Sequence, residues 1–172
     1  VLECFEELWP ASLAEGWDAA GLVAGRPDQP VERIHFAVDP VQDVADEAVG
    51  AGAQLLVTHH PLLLRGVHSV AATGYKGRIV HTLIEGGCAL LTAHTNADSA
   101  VGGVSDVLAD VLGLQDVVPL APVRDGLPEE GLGRVGTLEQ PLSLSEFAAR
   151  VFGAVPAVAG GVRVAGDRDG IV

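Results

Sequence analysis

Apolar residues recur along this chain first at helical and then at strand spacing. From Glu3 to Trp9 they fall on one helical face, and Pro10, which has no amide to donate to a further turn, should end that helix. A loop holding Trp17, Asp18 and Gly21 follows, then a turn cluster from Arg26 to Pro30. The β-formers from Arg33 to Val38 predict a strand. Asp39-Pro40 then reads as a helix start, with Asp39 as cap and Val41, Val44, Ala45 and Ala48 forming an apolar face up to Gly50 and Gly52. The alternation continues with a strand over Gln54 to Thr58, a helix over Gly77 to Gly86, a strand over Cys88 to Ala93 and a helix from Gly103 to Leu112 closed by Gly113. Parallel neighbours need crossover connections, which are usually helices. The pattern therefore predicts a layered α/β domain with β-α units and a parallel or mixed sheet over residues 1–118.

Between Val117 and Gly133 the prolines at 119, 122 and 128, Gly126 and two adjacent glutamates predict a linker over 119–132. A smaller, incomplete α/β unit is expected over 133–172. Its elements are a strand from Arg134 to Leu138, a helix through Phe152 opened by a Ser143/Glu146 capping box, and a strand from Val162 to Ala165.

Charge removes several functional classes. With ten Lys and Arg against 23 Asp and Glu, the formal net charge is −13, the wrong sign for holding nucleic acid through its phosphates. The same acidity disfavours anionic lipid, and no apolar run reaches the roughly 18 to 20 residues of a membrane span. The first residues carry Glu3, Glu6 and Glu7 rather than the basic start of a secretory signal. Two unpaired cysteines, Cys4 and Cys88, lie in apolar segments and are expected as inert core residues of a reducing compartment. A cytoplasmic protein is the expectation.

Five of the six histidines lie between residues 51 and 100. His59 and His60 directly follow one predicted strand; His94, Asn96 and Asp98 directly follow another. In open α/β sheets ligands bind outside the carboxyl ends of strands, so two polar clusters there can converge. Adjacent histidines chelate a single ion awkwardly but serve two neighbouring ions naturally. With Asp98 they make a His/Asp set that suits Zn, Mn or Fe(II) rather than Ca or Mg. Two divalent ions roughly 3.5–4 Å apart polarise a substrate oxygen and acidify water, which points to hydrolysis. His35 reads as a strand histidine and His81 as a helix-surface residue, while His68 sits in a loop that can reach a site rim. Gly86-Gly87 and Gly102-Gly103 match neither the P-loop nor the dinucleotide fingerprint. Thr58, Thr95 and Ser99 lack the matched base that nucleophilic catalysis needs.

Trp17-Asp18-Ala19-Ala20-Gly21-Leu22, Thr58-His59-His60-Pro61-Leu62, Ala93-His94-Thr95-Asn96-Ala97-Asp98 and Gly102-Gly103-Val104-Ser105-Asp106 occur here in order, followed by Gly131 to Gly136. In these motifs the chain resembles the Nif-three-like family of dinuclear metal-centre proteins, often labelled GTP cyclohydrolase I type 2 homologs. The resemblance implies that His59 and His60 bind the two ions separately, that Asp98 is a further ligand, and that His94 stands in the second shell or faces substrate. It implies a metal-dependent hydrolase acting on a small molecule of nucleotide type, and a homo-oligomer, specifically a homohexamer. A metal-binding assembly or regulatory protein without turnover is the alternative. The family completes its site with a His-x-x-x-Glu pair near the carboxyl terminus, and no histidine follows His94 here. The expectation is a chain truncated at its C-terminus, with a natural short form as the alternative.

Overall fold

The structure is a computed structural model that describes residues 1–157 and 159–172. It divides into two compact units, Val1–Ala100 and Val101–Val172. The division falls earlier than the boundary expected at 118.

In the first unit, strands β1 (Gly21–Ala24), β2 (Ile34–Ala37), β3 (Leu55–Thr58) and β4 (Ala89–Thr92) form one sheet in the order β1-β4-β3-β2. β2, β3 and β4 are parallel, and β1 joins β4 antiparallel, so the sheet is mixed. Helices α1 (Leu2–Leu8), α2 (Gln42–Gly50), α3 (Tyr75–Glu85) and the single turn α4 (Thr95–Ser99), with a short 3-10 turn over Ala11–Leu13, join this sheet in the unit.

Every residue of β3 and β4 is buried, as expected of strands covered on both faces. The pleat sends their side chains alternately to two clusters. Leu56 and Leu90 pack with Ala45 and Ala48 of α2 and with Ile79 and Leu83 of α3. Leu55, Val57, Ala89 and Leu91 face the other way, toward Leu2, Phe5 and Trp9. Leu56, Leu83 and Leu90 are fully buried, each contributing about 1.5–3 kcal/mol by removal from water. Beside β1, Gly25 has φ +111° and approaches Ala89 so closely that an added Cβ would lie 2.5 Å from the Ala89 Cβ. Only glycine tolerates both conditions.

The second unit holds α5 (Val104–Leu112), the antiparallel pair β5 (Leu114–Pro122) and β6 (Gly131–Leu138), and α6 (Leu144–Ala154). Gly113, with φ +74°, closes α5 in the left-handed conformation. The capping box at α6 forms as expected: Ser143 accepts from the Glu146 amide, and the Ser143 amide donates to the Glu146 carboxylate.

Several expectations are corrected. The expected linker 119–132 includes the ends of two paired strands. Pro119 and Pro122 are accommodated because a two-stranded sheet leaves edge positions where no amide need donate. Residues 162–165, read as a strand, have no strand pairing among the described residues; an isolated bridge joins Ser143 to Ile171 instead. Asp39 does not cap α2, whose N-cap is Val41 with no side-chain bond. Cys4 is exposed rather than buried, while Cys88 is buried and its thiol pushed up by that burial. Among the described residues no helix is long and apolar enough to cross a membrane.

Within the second unit the Arg134 side chain is only 3% exposed and is held by Asp106 of α5, which also accepts the Gly102 amide at 2.7 Å. The hydrogen bond from Arg134 holds the Asp106 carboxyl below its ordinary value. A lowered native value means that the stabilisation is present above the ordinary carboxylate range and is lost as pH falls through the native value. Asp106→Ala is expected to cost about 3 kcal/mol at neutral pH, because it removes the carboxylate that balances a buried guanidinium, whose bonds to the Gly131 and Gly133 carbonyls carry no compensating charge. In urea titrations across pH, the difference from the wild type should shrink on acidification.

Candidate metal centre

β3 and β4 run parallel and in register, with Thr58 opposite Thr92. The residues that leave the sheet next, His59 and His60 from one strand and Ala93 and His94 from the other, therefore emerge side by side at the carboxyl edge. β2 flanks β3, and the amides of His59 and His60 donate to the carbonyls of Ala37 and Val38 at 3.2 and 2.9 Å, which brings Asp39 alongside His60. β1 runs the opposite way, with Gly21 opposite Thr92, so the residues just before it, Trp17 and Asp18, reach the same edge.

The three imidazoles meet there. Ring centroids are 5.1 Å apart for His59 and His60, 5.1 Å for His59 and His94, and 5.8 Å for His60 and His94. One ring nitrogen from each lies within 4.8 Å of the other two. Asp98, in the first turn of α4, brings a carboxylate oxygen 3.8 Å from His59 Nε2. That separation is too long for a hydrogen bond and falls within the span of two ligands each about 2.0–2.2 Å from one ion.

Each ring is anchored through Nδ1. His59 Nδ1 lies 3.0 Å from the Ala93 carbonyl oxygen, which can only accept, so Nδ1 carries the proton. His60 Nδ1 donates to Asp39 at 2.7 Å and His94 Nδ1 to Asp18 at 2.9 Å. In the neutral imidazole this arrangement places the lone pair of each ring on Nε2. Metal-ligating histidines are characteristically held in this way, with the outer nitrogen on a carbonyl or carboxylate that fixes tautomer and orientation.

Asp18 is the most deeply set of these anchors, its side chain fully buried. It accepts from the amides of Ala19 at 2.6 Å and Thr95 at 3.0 Å, from the Thr95 hydroxyl, and from His94. Burial alone would raise its carboxyl, but the bonds from Thr95 and His94 outweigh that and lower it to about 2. Asn96 fixes the backbone beside it, accepting from the His94 amide at 2.9 Å and donating to the Trp9 carbonyl at 2.8 Å. Trp17, 60% exposed, stands edge-on to His94 with centroids 6.1 Å apart.

The sequence-expected ligands His59, His60 and Asp98 therefore lie at one strand-end locus, and His94, expected outside the ligand set, lies within the three-histidine cluster itself. Asp18 and Asp39 received no site role from the sequence, although Asp18 sits in one of the motifs that carried the resemblance. His35 pairs with Glu47 at 3.8 Å and His81 with Glu85 at 3.6 Å; His68 is exposed and outside the cluster. An apolar cleft between α1 and the sheet, lined by Phe5, Trp9, Leu22 and Leu91, has a volume of about 190 Å³, below the size of an ordinary small-molecule pocket.

Fold and site together define a mixed-sheet α/β protein with a histidine-rich centre at its strand ends. The chain belongs to the Duf34/NIF3 (NGG1p interacting factor 3) family, whose model matches residues 1–172. A Streptomyces coelicolor protein named GTP cyclohydrolase 1 type 2 homolog is 57% identical over 173 residues, a match covering all of this chain and 61% of that protein. A Mycobacterium tuberculosis protein of the same name is 50% identical over 123 residues, covering 72% of this chain and 32% of its own length. The matches thus span about three-fifths of the first of these curated relatives and about one-third of the second. Among solved structures, a Staphylococcus aureus hypothetical protein superimposes with a TM-score of 0.88 at 26% identity, over 99% of this chain and 67% of that one. A Bacillus cereus protein related to NIF3 gives 0.90 at 24% identity over 99% and 72%, which shows the shared fold.

Elemental analysis after loading with Zn or Mn should find less metal per chain in His59→Ala than in the wild type. His81→Ala, remote from the cluster, should match the wild type. Equal metal in all three would mean that the cluster is not the binding site.

Proposed function

We propose that this protein is a divalent-metal-dependent hydrolase of a small nucleotide-like molecule, with His59, His60 and Asp98 holding two ions of the Zn, Mn or Fe(II) kind. The observation that carries this reading is the set of three imidazoles gathered at one sheet edge, each anchored at Nδ1, so that the neutral rings offer Nε2. Neutral nitrogen donors beside a carboxylate suit these borderline metals better than calcium or magnesium. Divalent ions at such a centre supply Lewis acidity toward a substrate oxygen and acidify the water they hold.

The chain's own residues set the geometry. The Ala93 carbonyl and Asp39 keep the His59 and His60 rings from turning, and Asp98 contributes negative charge that offsets a cation's. The choice of a nucleotide as substrate class rests on the family label and on the relatives' printed name, homolog of a GTP cyclohydrolase. A cytoplasmic homo-oligomer, by resemblance a homohexamer, belongs to the same reading. In its support, Val104, Val107, Leu108 and Val111 make an exposed apolar stripe along α5, of the kind that assemblies cover.

Protein loaded with Zn, Mn or Fe(II) and incubated with GTP tests the catalytic claim, with products separated by chromatography. Metal-dependent GTP consumption that disappears in His59→Ala is the expected result. Unchanged GTP in protein that retains its metal would reject this hydrolase reading in favour of a metal-binding assembly or regulatory protein.

A further inference from the structure

Before β1 the chain makes a tight turn over residues 15–18, closed by the Asp18 amide donating to the Glu15 carbonyl at 2.9 Å, with Gly16 and Trp17 at its centre. Both ends of this turn are clamped to Thr95, the residue after His94. The Glu15 amide donates to the Thr95 hydroxyl oxygen at 3.0 Å, and the Asp18 carboxylate accepts from the amide and hydroxyl of Thr95. The turn therefore buries Asp18 completely and displays Trp17, whose side chain is 60% exposed. We propose that Trp17 is the platform on which the aromatic base of the nucleotide stacks at this centre. The proposal rests on the nucleotide reading above and deepens it by naming the residue that holds the base.

Position is the first support. The Trp17 and His94 ring centroids are 6.1 Å apart, with their planes at 80°. A ring met edge-on is not covered by its neighbour on both faces, so His94 leaves at least one indole face for another planar group. A base lying on that face is at the carboxyl edge of the sheet, beside the histidine cluster, where ligands of open α/β sheets bind.

Charge is the second. With a formal net charge of −13, this chain offers few cations to grip a nucleotide by its phosphates. A neutral contact with the base is the contribution its surface can make, and every base has a face that an indole can cover.

Preorganisation is the third. A lone exposed aromatic needs no explanation on a protein surface, but such a residue needs no clamped turn either. Here the backbone on each side of Trp17 is fixed to α4 before any ligand arrives, so binding to the indole costs little ordering. A contact between copies of the chain is the competing use of an exposed tryptophan. Its place beside His94 favours the ligand.

Equilibrium binding of GTP and of inorganic triphosphate to the Zn-loaded protein tests the proposal, with recovered GTP checked by chromatography. Trp17→Ala should bind GTP on the order of 10–100-fold more weakly than the wild type. Trp17→Phe should regain most of that loss, and all three proteins should hold Zn and inorganic triphosphate alike. GTP should quench indole emission in the wild type but not in Trp17→Phe, whose remaining indole is Trp9. Equal GTP affinity in wild type and Trp17→Ala would overturn the proposal. If that variant also sedimented as a smaller species, the indole would belong to an interface between copies. Equal loss of GTP and triphosphate binding in Trp17→Ala would overturn it too, because the residue would then shape the site rather than hold the base. GTP bound through Trp17 but recovered unchanged would uphold the platform and reject the hydrolase reading. A wild type that binds no GTP would overturn the nucleotide reading and the platform together.

Discussion

The parallel ladder that sets Thr58 against Thr92 is the constraint on which the site depends. Side chains alternate along a strand, so a slip of one residue between β3 and β4 would exchange the two apolar faces and send Leu56 and Leu90 to opposite sides of the sheet. Because each of those leucines is fully buried, such a slip is strongly disfavoured, and the register is set by packing rather than by the polar edge. The histidines inherit that precision. Their positions follow from where the strands stop, and the hydrogen bond from the Ala93 amide to the Thr58 carbonyl at 3.0 Å carries the ladder one step beyond the last paired residues.

Anchoring then converts proximity into chemistry. Three imidazoles in contact would ordinarily compete as donors and acceptors among themselves. Here each outer nitrogen is taken by an oxygen acceptor from a different part of the chain: the Ala93 carbonyl at the end of β4, Asp39 after β2, and Asp18 before β1. Antiparallel β1 is indispensable to this, since a parallel strand would deliver its preceding loop to the far edge of the sheet. Loops carrying function on a rigid strand scaffold are the ordinary solution in α/β proteins, and here even the anchoring groups are loop residues.

Much of this was legible in the sequence because it is local. The runs of β-formers and the helix faces placed β2 to β4 and α2, α3 and α5 to within a few residues. The strand-end positions of His59, His60 and Asp98 followed from them. What escaped was long-range. β1 is four residues of Gly-Leu-Val-Ala after a glycine-flanked loop, and it becomes a strand only through pairing with β4, some seventy residues away. The His94–Asp18 bond spans 76 residues and leaves no mark in either local sequence. Asp39 was misread for a different reason: Asp-Pro before an apolar helical face is a good cap signal, but the carboxylate finds a stronger partner in His60. Residues 162–165 have strand composition without a neighbouring edge to pair with, and composition alone does not make a strand.

Anomalous diffraction from crystals grown with Mn or Zn tests the central claim most directly, because it locates the ion without reference to any reaction. The account predicts anomalous peaks about 2.0–2.2 Å from imidazole nitrogens of His59 and His60, with the Asp98 carboxylate drawn into the same shell. Peaks elsewhere on the chain, with the three rings still bonded to Ala93, Asp39 and Asp18 and nothing between them, would contradict it.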